Sequence, residues 1–86
     1  HLDIEVLGRA LAGVPGVSEV HDLHVWPIAA ERLALSAHVR LNSLSDWPKV
    51  LIALAAVASQ HGIEHVTFQP AENPQNKPQA IHLIRR

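Results

Sequence analysis

The chain is 86 residues long, 48% hydrophobic and 17% charged, which fits one small globular domain and excludes a second full-sized core. Seven Lys and Arg against eight Asp and Glu leave a formal charge of −1, so no strong field recruits nucleic acid or an anionic membrane surface. Cysteine is absent, which removes disulfides, thiolate metal sites and cysteine nucleophiles. At this length folding hides roughly 60 to 65% of the unfolded chain's surface. That margin is narrow without a metal or a partner, and oligomerisation is expected on size alone. The longest apolar stretch, Val50 to Ser59, is about half of the roughly 20 residues that cross a bilayer. Lacking an initiating Met and a basic, apolar leader, the chain reads as an excised domain or mature fragment. Seven His against one Phe and two Trp is the unusual ratio, and it directs attention to metal or proton chemistry.

In chain order, Ile4, Leu7, Leu11 and Val14 recur at helical spacing, with Asp3 and Glu5 where negative charge complements the helix dipole. Pro15 and Gly16 end that helix in a reversal. Val20 to Trp26 reads as a strand, with His21, Leu23 and Val25 on the core face and Val20, Asp22, His24 and Trp26 on the other. Pro27 to Arg32 lacks the Asn-Gly or Gly-Gly signal of a tight turn and predicts a longer loop. Leu33, Leu35, Ala37, Val39 and Leu41 alternate strictly with Ala34, Ser36, His38 and Arg40, the clearest strand of the chain. Ser45 and Asp46 offer cap oxygens, Pro48 suits a first turn, and Val50, Leu51, Leu54, Val57 and Ala58 form the stripe of a helix ending near Gly62. His65 to Gln69 predicts a third strand, with Val66 and Phe68 inward and Pro70 as its stop. Residues 71–86 read as a polar, Pro-containing tail with an optional short strand at 81–84, leaving 2–70 as the ordered domain.

Helix, strand, strand, helix, strand closes most simply as an α+β two-layer sandwich: a three-stranded mixed sheet, the second strand central, both helices on one face. The pleat then puts His24, His38 and His65 together on the open face, with Asp22, Trp26, Ser36 and Arg40 beside them. Imidazole and carboxylate suit zinc when no thiolate is present, and an incomplete set can be finished across a dimer. His21 faces inward on ideal pleat, yet it sits at the strand entrance and can reach round the edge. His61 in the last turn of its helix fits a dipole role, and His82 lies in the tail. Trp26 on a bare sheet face reads as a dimer anchor in preference to a lid over one edge of a site, and Trp47 as packing. No Gly-rich phosphate loop and no nucleophile placed beside a base are present, so an enzyme is not expected.

The segments VPGVSEVHDLHVWPI, LALSAHVRL and HGIEHVTFQ resemble the C-terminal cytoplasmic domain of cation diffusion facilitators, the zinc, cobalt, cadmium and iron efflux transporters. The resemblance covers residues 2 to 70. It implies a metallochaperone-like (ferredoxin-like) αββαβ fold on the cytoplasmic side of the membrane, joined to a transmembrane domain, forming a homodimer and binding divalent metal near the dimer interface. The metal would be zinc, or cobalt, nickel, cadmium or iron. It further implies ligands at His21, His38 and His65, with Asp22 and His24 in the same segment. Trp26 and Arg40, from their place on the open face, are expected at the dimer interface. Where other members place a His and an Asp near the end of the third strand, this chain has Phe68, Gln69 and Pro70, and a helix-two histidine of the family has no counterpart. These departures imply one site per subunit, or one shared across the dimer, with Glu72 as a substitute carboxylate. The implied role is regulatory: metal neutralises the cluster, favours a closed dimer and thereby promotes transport. The competing readings are a purely structural dimerisation module and a stand-alone regulator that binds a small ligand.

Overall fold

The computed structural model describes residues 2–73. Helix α1 (Ile4–Ala12) begins at Asp3, whose Oδ1 accepts the backbone N–H groups of Glu5 (3.0 Å) and Val6 (3.3 Å), two of the donors a helix start leaves unpaired. Leu7 and Leu11 are buried, whereas Ile4, on the predicted stripe, is exposed. The reversal at Pro15 and Gly16 leads into strand β1 (Val17–Ala29), which pairs antiparallel with β2 (Arg32–Leu41).

Three features depart from the sequence expectations. The hairpin connection is only Ala30 and Glu31, not a loop over 27–32; Glu31 itself takes the left-handed conformation (φ +61) that Gly or Asn usually signals. Pro27 sits within β1, an edge strand where its missing N–H is tolerated. Strand β3 (His65–Glu72) likewise runs through Pro70 instead of stopping there, because it is the other edge of the sheet. It pairs parallel with β2, and Ala71 and Glu72, assigned above to the tail, pair with Arg40 and Leu41. The rest of the predicted tail, with the optional strand at 81–84 and His82, lies outside the described residues.

Helix α2 (Trp47–Gln60) follows a 3-10 turn over Leu44–Asp46. Ser43 caps that 3-10 turn, its Oγ accepting from Ser45 N–H at 3.3 Å, whereas Asp46 stands at the N-cap of α2 and, like Ser45, makes no side-chain cap bond to it. The end of α2 is a Schellman closure, with Gly62 N–H donating to Ser59 O (2.9 Å) and Ile63 N–H to Ala58 O (3.0 Å). Gly62 has φ +83, and His61 Nδ1 donates to Val57 O at 3.0 Å, which ties that imidazole to the helix end.

The sheet order is β1-β2-β3, so β2 is central as expected. Leu35, Ala37, Val39 and Leu41 of β2 meet Leu7 and Leu11 of α1, Val50, Leu54 and Ala58 of α2, and Ile63 in one core, with Val17, Val20, Leu23, Val25, Val66, Phe68 and Trp47 around it. Among the described residues no polar or charged side chain is buried. One sheet face is thus covered by both helices, and the other carries the polar residues of all three strands.

Two glycines separate conformational strain from crowding. Gly16 has φ +98, and a Cβ there would stand 3.0 Å from Val50 Cγ2, whereas one at Gly62 would meet nothing within 4 Å. Gly62→Ala should therefore cost about 1 kcal/mol from backbone strain alone, and Gly16→Ala about 2 to 3 kcal/mol because Val50 must also yield. Urea unfolding of the two variants measures the difference.

Candidate metal site on the open sheet face

The site is made by an irregularity in β1. Val20 pairs with Val39 and His21 with His38, but the next simple pair is His24 with Ser36. Asp22 and Leu23 therefore share the space opposite Ala37, a β-bulge in which Asp22 takes φ +52, a conformation that Asp adopts more readily than most residues. The extra residue resets the alternation. Val20 points to the core before the bulge and Leu23 and Val25 after it, so His21 and His24 both emerge on the open face. The expectation that His21 faces inward, and Val20 outward, is corrected by this one inserted residue.

His21 and His38 consequently face each other across the ladder, where opposed Cβ atoms lie about 4.5 to 5.5 Å apart. Asp22 Oδ2 is 3.3 Å from His38 Nδ1, and His21 Nε2 is 3.0 Å from Glu19 Oε1. The same Glu19 oxygen is 3.4 Å from Arg40 Nε. A groove lined by His21, Asp22, His38, Arg40 and Gln69 runs beside this group, and His24, Ser36 and Thr67 border its continuation on the far side of His38. All of these donors are at least partly exposed. Two imidazoles on facing rungs, with a carboxylate against one of them, are hard-to-borderline ligands that suit zinc and its neighbours. Among the described residues, no three His, Asp or Glu side chains of a single chain are set to hold an ion without movement or a further donor.

The other candidates are spread out. His65 pairs with Ala34, four residues along β2 from His38, hence about 13 Å away at 3.3 Å per residue. Its Nε2 is engaged by Arg32 Nη2 at 2.7 Å. The anticipated convergence of His24, His38 and His65 thus holds for the face and fails for the position along it. Glu72 shares the alternation of Val66, Phe68 and Pro70, which is the face opposite His38, and is not placed as a substitute carboxylate. Trp26, 43% exposed, and Ile28, 46% exposed, stand near the hairpin tip. Arg40 is on the open face but directed to Glu19. Sequence reasoning passed over Glu19; it lies two residues from His21, so the period-2 rule would have found it had the facing of His21 been known.

A family model described as the cytoplasmic domain of cation efflux proteins matches residues 1–71. The chain belongs to this family. Mouse proton-coupled zinc antiporter SLC30A1 is 38% identical over 69 residues, covering 80% of this chain and 14% of that protein. The cadmium, cobalt and zinc/H(+)-K(+) antiporter of Bacillus subtilis is 30% identical over 84 residues, covering 94% of this chain and 27% of that protein. This cation efflux domain therefore spans a small part of the length of these curated relatives, which are antiporters. The metal-bound C-terminal domain of the CzcD transporter from Cuprividus metallidurans superposes with a TM-score of 0.74 at 29% identity, over 81% of this chain and 99% of that one. A variant of the MamM CTD matches with a TM-score of 0.68 at 17% identity, over 81% of this chain and 90% of that one, and supports the fold alone. The metallochaperone-like αββαβ sandwich expected from the sequence is the fold of this domain. Among the described residues no helix is long and apolar enough to cross a membrane.

The bulge is open to test. Asp22→Asn keeps a residue that tolerates positive φ and should change stability by less than about 0.5 kcal/mol, whereas Asp22→Val puts a β-branched side chain there and should cost about 1 to 2 kcal/mol. Denaturant midpoints of the two variants report the contrast.

Proposed function

We propose that this domain is the metal-responsive regulatory part of a divalent-cation efflux transporter. In this reading it binds zinc, or a similar ion such as cobalt, nickel, cadmium or iron, through His21, Asp22 and His38. The carrying observation is the bulge that sets His21 opposite His38 and Asp22 against His38 on a sheet face that neither described α-helix covers. The metal-bound state of the similar CzcD domain and the zinc transport of the similar antiporters support the choice of ligand class. Three donors per chain leave a coordination position open, and a second copy of the domain is the natural source of the remaining ligand. Metal bound between two subunits favours the closed dimer only to the extent that it binds that state more tightly than the open one. That differential affinity is what would be passed to the membrane part of the transporter.

Calorimetric titration of the metal-stripped domain with zinc at pH 7.5 tests the site. Micromolar or tighter binding is expected, with a gain of about 2.7 kcal/mol in stability at a hundredfold excess over Kd. His38→Ala should abolish both with little change in apo stability, and His65→Ala should leave the affinity within threefold because that ring is far along the strand. Absence of heat and of stabilisation with zinc, cobalt and nickel would refute the reading.

A purely structural dimerisation role is the second reading, and one observation favours it: Trp26 and Ile28 expose apolar surface outside the metal groove. If Trp26 anchors the interface, Trp26→Ala should weaken self-association by about thirtyfold in sedimentation equilibrium, the cost of a central aromatic contact. Apo dimerisation unaffected by zinc would then favour this role over the regulatory one.

A further inference from the structure

Two charged residues beside the proposed ligands make an ordered chain of contacts with one of them. Glu19 faces Arg40 in the ladder and His21 faces His38, so the four side chains occupy successive same-face rungs of the β1-β2 pair. Glu19 Oε1 lies 3.4 Å from Arg40 Nε and 3.0 Å from His21 Nε2. An ionised carboxylate only accepts hydrogen bonds, so in the neutral His21 ring the proton sits on Nε2 and the lone pair on Nδ1. His38 differs: its Nδ1 is the nitrogen near Asp22, at 3.3 Å, the side on which an ion shared with that carboxylate would lie. Histidines that bind metal usually donate their other ring N–H to a carboxylate or carbonyl, which fixes tautomer and ring orientation.

We infer that Glu19 is a positioning residue for the metal site: it holds the His21 proton on Nε2, presents Nδ1 to the ion, and is itself aligned by Arg40. The inference rests on the metal-binding role proposed above and adds to it which nitrogen of His21 serves. It also gives Arg40 a role within the subunit. The guanidinium steadies Glu19 so that this carboxylate stays on His21 and is not free to swing onto the ion as a ligand. Removing Arg40 would therefore loosen the geometry of the site while adding no donor to it.

Long-range proton–nitrogen NMR spectra of the zinc-loaded chain read the bound nitrogen directly. Coordination of His21 through Nδ1, with Nε2 still protonated, is expected; zinc on Nε2 would overturn the inference even if the site binds zinc tightly. In parallel, Glu19→Leu should weaken zinc binding 10- to 100-fold while the apo melting temperature moves by less than about 4 °C. Glu19→Gln, which keeps an oxygen acceptor, should recover most of the affinity. An affinity for Glu19→Leu within threefold of wild type would overturn the inference and leave the metal site standing. Failure of the wild-type chain to bind zinc would instead overturn the metal site itself, and the positioning role with it.

Discussion

The placement of His21, Asp22 and His24 on the open face depends on one extra residue in β1, at the second of that strand's three register shifts. In an unbroken antiparallel ladder the side chains of positions 20, 22, 24 and 26 share one face and those of 21, 23 and 25 the other. With that regularity only His24, and not His21, could look away from the core while Leu23 and Val25 stay inside. Doubling Asp22 and Leu23 against Ala37 removes the conflict: Val20, Leu23 and Val25 all reach the core, and His21, Asp22 and His24 all remain outside. A register error of one residue would bury the polar set and expose the apolar one, so the hydrophobic pattern itself holds the bulge in place. Burial of Val20 and Leu23, each worth on the order of 1 to 2 kcal/mol when partly covered, outweighs the left-handed backbone at Asp22.

Much of the fold was legible because its signals are periodic and strong. The strict alternation of Leu33 to Leu41 gave the central strand and its core face, and Val50, Leu54 and Ala58 gave the helix above it. The features that were not legible share one cause, which is that a local rule was overridden by position in the sheet. Pro27 and Pro70 are poor strand residues, but both lie on edge strands where no ladder partner is lost. Glu31 has no special preference for positive φ, yet the pairing of Ala29 with Arg32 forces a two-residue turn on it. The site was half legible on the same grounds. The face of His24, His38 and His65 followed from alternation, whereas the facing of His21 and the distance of His65 depended on a bulge and a register that no composition or spacing announces.

The electrostatics of the face follow from its exposure. Glu19, Asp22 and Arg40 are only partly covered, so their contacts with one another and with the imidazoles are worth little to folding in water. Their value is geometric: they limit the orientations of groups that would otherwise sample many rotamers. In a domain this small the core supplies most of the stability, and every described polar side chain keeps access to solvent. The open face is consequently free to be shaped by ligand chemistry, since little of the folding energy resides there.

Under the proposed function this division also bears on how a metal signal leaves the domain. His21, Asp22 and His38 sit on adjacent strands fixed to one another by ladder hydrogen bonds, with a close-packed core behind them, so an ion bound to them has little scope to distort its own subunit. What remains adjustable is the placement of a second copy that would supply a missing donor, and a shift between rigid bodies costs far less than repacking a core. The response to metal would then be a change in subunit geometry and not in subunit conformation. That follows from donors carried on a sheet face, where the backbone beneath each ligand is already committed to its neighbours.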